Sequence, residues 1–232
     1  MPADAQGRAA HPLPVDAVLF DLDGTLADTA GDLGAALNRV RADRGLPPVS
    51  LEILRAHASS GARGLLGAGM GITPDATDYE ALRKSFLAHY EACLAETTVL
   101  FAGVAELLDA IEGRGLHWGI VTNKFSRFTG PVVRALALAE RASTVVSGDT
   151  TPTPKPHPAP LLHAARDMRI APSRCMYVGD DLRDIVAGNA AGMPTIVAQY
   201  GYVGDSAAAE AWPATGWIPD PLALLNWLPE PR

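Results

Sequence analysis

The chain has 232 residues, 48% of them apolar and 19% charged, with a formal net charge of -7. That length holds one large core, or a core with a smaller satellite domain, in the composition of an ordinary globular protein. The acidic balance and the lack of a basic face exclude a nucleic-acid partner, and no apolar run approaches the ~20 residues that cross a bilayer.

Residues 1–14 carry no apolar stretch of signal-peptide length and read as a disordered tail. Cys93 and Cys175 have no metal-site spacing and cannot build a disulfide framework, which fits reduced packing thiols in a cytoplasmic protein. From Val15 the sequence turns apolar, and the stretch VLFDLDGTLADT begins as a buried strand. The strand runs into Asp21, Leu22, Asp23 and the breaker Gly24. Residues two apart in extended backbone face the same way, so Asp21 and Asp23 can share one small volume. Unit charges ~4 Å apart repel by ~4 kcal/mol at an effective dielectric of about 20, which calls for a cation or a shared proton. Two readings fit. One is a nucleophile and a general acid around a hard metal such as Mg²⁺; the other is a polar strand end with Asp23-Gly24 as a turn.

Residues 30–44 place Leu33, Leu37 and Val40 at helical spacing before Gly45 and Pro47-Pro48. Ser50 can cap a short helix to Arg55, the glycine-rich GARGLLGAGMG predicts another, and residues 75–95 form an amphipathic one. No strand pattern occurs between Asp28 and Thr98, so residues 29–98 are expected to be an all-helical unit inserted after the first strand. Helices and strands then alternate: helix 104–111, strand 116–121, helix 128–138, strand 142–146, helix 158–168, strand 175–178, helix 185–191 and strand 194–198. A last helix is expected over residues 221–228. This grammar predicts an α/β fold with a parallel, Rossmann-like sheet built from residues 15–28 and 99–232. Ligands of such sheets bind beyond the carboxyl ends of the strands, and each chemical cluster falls there.

Thr122 and Asn123 end the strand LHWGIV, where a hydroxyl, an amide and free N–H groups can bind phosphate oxygens, though threonine at a strand end is also an ordinary structural residue. Lys155 sits in the stiff TPTPKPHP loop, which is either an incidental polyproline-like connection or a mount that fixes a cation. In GDDLRDIVAGNAAG, Asp180, Asp181 and Asp184 crowd a strand end and the next helix start, more acid than a helix cap needs. Acceptor-only oxygens converging on Asp21 would make a hard-cation site.

DLDGT at the end of a first strand resembles the first motif of the haloacid dehalogenase superfamily of phosphatases. Thr122, Lys155 with its Pro-His-Pro, and GDDLRD follow in the order of that family's other three motifs. The resemblance covers essentially the whole chain after the first dozen residues. It implies Asp21 as nucleophile, Asp23 as general acid and base, Thr122 and Lys155 on the phosphoryl group with Asn123 and the N–H groups around Leu22. It also implies Mg²⁺ held by Asp21, the Asp23 carbonyl and Asp180, with Asp184 and the less regular Asp181 behind them. The helical insert resembles the family's small cap, where Arg63 is either a substrate-facing cation or an exposed helix-start residue.

The family's metal-free dehalogenases lack the acid at plus two, so Asp23 favours phosphate monoesters, with a mutase still open. ADRGLPPV, VTNKFSRF, VGDDLRDI and YGYVGD are similar to bacterial phosphoglycolate phosphatases and to the branch that dephosphorylates N-acetylmuramate 6-phosphate. Phosphoglycolate is the expected substrate, N-acetylmuramate 6-phosphate the alternative, and the enzyme a monomer or homodimer without nucleic-acid or membrane partners. A phospho-accepting signalling module of the receiver type is the rival from another class. Receivers have neither a helical insert nor an acid at plus two.

Overall fold

The computed structural model describes residues 11–204 and 209–231. The tail expected over residues 1–14 therefore lies mostly outside the described residues. Leu13 lies inside them, donates its N–H to Trp227 O at 2.9 Å and packs on the main core, so the chain is tied down before Val15.

Strand β1 (Ala17–Phe20) is apolar throughout and buried on both faces. It passes into a turn in which Leu22 O accepts the N–H groups of Leu26 at 3.1 Å and Ala27 at 2.9 Å. Gly24 takes φ +84 there, a left-handed backbone that glycine adopts without a steric penalty. After the short β2 (Ala27–Asp28) come α1 (Ala30–Ala42), α2 (Leu51–Arg55), α3 (Gly61–Met70) and α4 (Tyr79–Ala92), with a 3₁₀ turn at Ala58–Ser60. Leu33, Leu37 and Val40 of α1 meet Leu54, Leu66 and Phe86 in a core of their own. The chain returns through β3 (Val99–Leu100), which pairs antiparallel with β2. These two-residue strands were not expected, because so short a stretch holds no alternation to read. They form the stem between the helical unit and the sheet. Asp32 of α1 locks the stem: it accepts Thr97 N at 2.8 Å and the hydroxyls of Thr97 and Thr98 at 2.6 Å each.

Then follow α5 (Val104–Gly113), β4 (His117–Val121), α6 (Ser126–Ala135), β5 (Val145–Val146), α7 (Ala159–Asp167), β6 (Cys175–Gly179), α8 (Leu182–Ala190), β7 (Thr195–Ala198) and β8 (Gly216–Ile218). Six of the strands form one parallel sheet in the order β5-β4-β1-β6-β7-β8. Alternation divides its faces. Val18, Phe20, Trp118, Ile120 and Met176 face α5, while Leu19, Val121 and Tyr177 face α7. The fold is α/β with a parallel sheet, as the alternating grammar predicts. Strand β8 was missed, since its three residues follow a proline-broken loop. The final helix is 3₁₀ over Pro221–Trp227, opened by Asp220 accepting Ala223 N at 3.0 Å. Among the described residues no helix is long and apolar enough to cross a membrane.

Asp32→Ala would remove a buried carboxylate that three donors share, one of them the buried Thr98 hydroxyl and two of them on exposed Thr97. Loss of hydrogen bonds to such a group is expected to lower the unfolding free energy by about 3 kcal/mol. Denaturant midpoints of variant and wild type check this.

Candidate active site

The strand order reverses beside β1: the chain builds β4 and β5 on one side, then crosses to β6, β7 and β8 on the other. The crevice at such a reversal, beyond the carboxyl ends of the strands, is where doubly wound sheets bind ligands. Asp21 follows β1, Thr122 follows β4, Asp180 follows β6, and Lys155 reaches in from the loop after β5.

Lys155 is the hub. Its side chain is 2% exposed, and its ammonium lies 3.0 Å from Asp21 Oδ1 and 2.7 Å from Asp184 Oδ1. It also donates to Tyr177 OH at 2.7 Å and to Val121 O at 3.0 Å. Burial works against its charge, but Asp184 and Asp21 outweigh that and raise its pKa above the ordinary lysine value. The Leu22 N–H donates to Asp21 Oδ1 at 2.7 Å. Burial nevertheless pushes the Asp21 carboxyl up to about 7, with Lys155 pulling it down and Asp184 and Asp23 adding to the rise.

Asp180 is held by three donors: Thr25 Oγ1 at 2.9 Å, Ser59 Oγ at 2.7 Å and Tyr202 N at 3.0 Å. Burial, then Asp21 and Asp184, lift its pKa well above the carboxylate range. Asp23 turns the other way, accepting Thr29 Oγ1 and Lys124 Nζ on Oδ1 at 2.6 Å each. Asp21, Asp23, Lys155 and Asp184 floor a cavity of about 290 Å³, roofed by the helical unit through Ser59, Arg63 and a stripe of α4: Tyr79, Arg83, Phe86 and Tyr90.

A family model described as haloacid dehalogenase-like hydrolase matches residues 18–198. The chain belongs to that family. An N-acetylmuramic acid 6-phosphate phosphatase of Pseudomonas aeruginosa is 42% identical over 212 residues, covering 91% of this chain and 94% of its own. A phosphoglycolate phosphatase of Xanthomonas campestris pv. campestris is 43% identical over 214 residues, covering 92% and 95%. Among solved structures, a predicted phosphoglycolate phosphatase from Haemophilus somnus superposes with a TM-score of 0.77 at 25% identity, covering 91% of this chain and 97% of that one. CbbY from Rhodobacter sphaeroides, in complex with phosphate, shares the fold with a TM-score of 0.71 at 23% identity, covering 90% and 96%.

Asp21, Asp23, Thr122, Asn123, Lys155, Asp181, Asp184 and Arg63 all line this hydrolase's cavity. Asp180 lies just behind them. Two details differ from expectation. The Asn123 amide, assigned to phosphate, clamps the lysine loop instead: Nδ2 donates to Lys155 O and Oδ1 accepts Lys155 N, both at 2.9 Å. Asp184, placed behind the metal ligands, is itself in the carboxylate cluster. Asp181 caps α8 and holds Arg183, whose Nη2 donates to Ser59 O at 2.8 Å. Burial opposes the Asp181 charge, yet the bonds from Arg183 keep its pKa below the usual range.

Sequence reasoning missed Lys124, Arg83, Tyr90 and Tyr202. The Tyr202 hydroxyl accepts Thr29 N at 2.6 Å and Ala30 N at 2.9 Å, and donates to Asp28 Oδ1 at 2.8 Å. Lys124 carried a signal, being a lysine directly after Thr122-Asn123 at a strand end. Aromatic residues at helical spacing on α4 carried none that separates wall from core.

Asp21, Asp180 and Asp184 each bring a carboxylate oxygen within 4.8 Å of the others. Three hard acceptors sit there beside a single ammonium, the donor set that a divalent cation such as Mg²⁺ takes. The backbone is shaped around them, because a methyl group on Gly24 or Gly201 would overlap Asp180. These residues fit the ion. Gly24→Ala is therefore expected to weaken Mg²⁺ binding about tenfold or more, by displacing a carboxylate without removing it. Titration calorimetry of the folded variant is the check, and unchanged affinity would refute the dependence on Asp180.

Proposed function

We propose that this hydrolase is a Mg²⁺-dependent phosphatase that cleaves a carboxylate-bearing phosphate monoester through an aspartyl-phosphate. The observation that carries the reading is the Asp21 carboxylate held by the Leu22 N–H and the Lys155 ammonium on the cavity floor, with Asp23 two residues on.

In the first step an Asp21 oxygen attacks phosphorus, the bond from phosphorus to the leaving oxygen breaks, and Asp23 gives that oxygen its proton. In the second step Asp23 takes a proton from water, the water oxygen attacks phosphorus, and Asp21 departs as carboxylate with inorganic phosphate. The Lys155 ammonium faces the charge that develops on the phosphoryl oxygens, and Thr122 lies at the neighbouring strand end to bond them. Mg²⁺ bound by Asp21, Asp180 and the Asp23 carbonyl, with Asp184 alongside, would screen repulsion between the carboxylates and a phosphate dianion.

The two relatives are named for substrates that both carry a carboxylate. Arg63, exposed at the start of α3, and Arg83 on α4 are the cations of the roof that could meet it. The apolar wall of Leu33, Phe86, Leu87, Phe125 and Phe128 supports the larger leaving group, since a two-carbon acid has no apolar face to lay against it. N-acetylmuramate 6-phosphate thus moves ahead of phosphoglycolate as the substrate. A receiver-type module would have no use for such a roofed cavity.

Asp21→Asn should leave the fold intact and turnover below a few per cent of wild type, because an amide cannot attack phosphorus. EDTA should abolish hydrolysis and added Mg²⁺ restore it; full activity in chelator would refute the metal reading. On the wild type, kcat/KM is expected to be at least tenfold higher for N-acetylmuramate 6-phosphate than for 2-phosphoglycolate. Arg63→Ala should raise KM for the preferred acid about tenfold, the value of one charge-assisted hydrogen bond.

A further inference from the structure

Tyr90 closes the cavity where α4 meets the sheet. Its hydroxyl is buried and meets no acceptor among the described residues; the polar group that interacts with it is the Lys124 ammonium, itself a donor. The ring itself is well seated, stacked on Phe86 with centroids 6.4 Å apart and tilted on Phe128 at 5.4 Å. Phenylalanine would keep those ring contacts and would bury no hydroxyl that lacks an acceptor. A lone buried donor costs stability, and such a group is explained when a ligand supplies its acceptor. Burial raises the hydroxyl's pKa above the ordinary tyrosine value, so it stays protonated and able to donate.

Lys124 lies against the same ring, its ammonium 5.0 Å from the centroid and its side chain 7% exposed. The lysine is fixed at its backbone: Lys124 N donates to Thr122 Oγ1 at 3.1 Å, and Lys124 O accepts Gly148 N at 2.8 Å. An ammonium has three donors, and Asp23 takes one of them at 2.6 Å. A cationic donor and a neutral donor therefore stand together on the cavity wall, next to the carboxylate assigned to protonate the leaving oxygen.

We propose that the Tyr90 hydroxyl and the Lys124 ammonium together bind an acceptor oxygen of the leaving group, borne on the carbon next to the ester-bearing carbon. The placement rests on the phosphatase reading, because it is measured from Asp23. With Asp23 bonded to the ester oxygen, Lys124 stands one hydrogen-bond length beyond, the range over which covalent geometry holds a vicinal oxygen. The substrate class is a phosphate monoester of a vicinally oxygenated alcohol. A 2-hydroxy acid offers a carboxylate at that carbon and a hexose 6-phosphate offers its ring oxygen, whereas a simple alkyl phosphate offers nothing.

The test uses two matched pairs with Mg²⁺: 2-phosphoglycolate against ethyl phosphate, and glucose 6-phosphate against cyclohexylmethyl phosphate. For the pair the wild type turns over better, kcat/KM favours the oxygenated member at least tenfold. In Tyr90→Phe that ratio falls about tenfold through KM, and Tm is equal to or above that of wild type. An unchanged ratio in the variant, a wild-type ratio near one, or a Tm lowered by several degrees overturns the subsite. Hydrolysis of p-nitrophenyl phosphate by the wild type separates the two levels. Its absence defeats the phosphatase reading itself, while its presence with an unchanged ratio counts against the Tyr90–Lys124 subsite alone.

Discussion

The Lys155 ammonium is the charge around which the site closes. Moving such an ion out of water costs several kcal/mol, and pairing offsets that only where the geometry is good and every proton finds an acceptor. Here Asp21, Asp184, Tyr177 and the Val121 carbonyl surround it. The acceptors come from β1, α8, β6 and β4, so one side chain ties four elements at the carboxyl ends of the strands. Its loop is held from outside by the two-way Asn123 clamp. Even so, one ammonium does not balance the three carboxyls Asp21, Asp180 and Asp184. Burial first, and then the neighbouring carboxylates, raise the pKa values of Asp21 and Asp180, and a divalent cation is the group that would offset both.

How the sequence announced this arrangement differs from residue to residue. Strand β1 and its DLDGT were legible because a fully apolar run that ends in acids conflicts with ordinary patterning. A local conflict of that kind marks function. The alternating grammar after residue 100 implied crossovers, hence a parallel sheet and a crevice at the strand ends. Lys155 was legible only through the family resemblance, since a lone lysine in a proline-rich loop has a bland explanation. Its four partners lie far away in sequence, and no local pattern encodes them.

The misses have the same cause. Asn123 was assigned to phosphate from its place beside Thr122, but its partner is the backbone of Lys155, 32 residues on. Tyr90 lies at helical spacing with Phe86 and is core by its ring contacts, yet it also lines the cavity. Periodicity reports that a helix face is covered, not what covers it. Strands β2, β3 and β8 escaped because two or three residues are too few to show a period of two.

The helical unit meets the sheet in two unlike ways. At the stem, β2 pairs with β3, and the buried Asp32 accepts three short hydrogen bonds, two of them from the exposed Thr97. Over the site, contact runs through Ser59 Oγ to Asp180, Arg183 Nη2 to Ser59 O, and the Tyr90 ring on Lys124. Both hydrogen bonds involve a charged group, the Asp180 carboxylate or the Arg183 guanidinium, and such bonds are worth about 1.5–3 kcal/mol each. At the stem only the Thr98 hydroxyl is buried, and the Thr97 donors lie where water reaches them. The contacts over the site also end on groups with chemical tasks: Asp180 of the carboxylate cluster, and Lys124, which holds Asp23. The roof is thus tied to the carboxylate cluster itself through Ser59 and Asp180, and to the sheet by a stem around the buried Asp32.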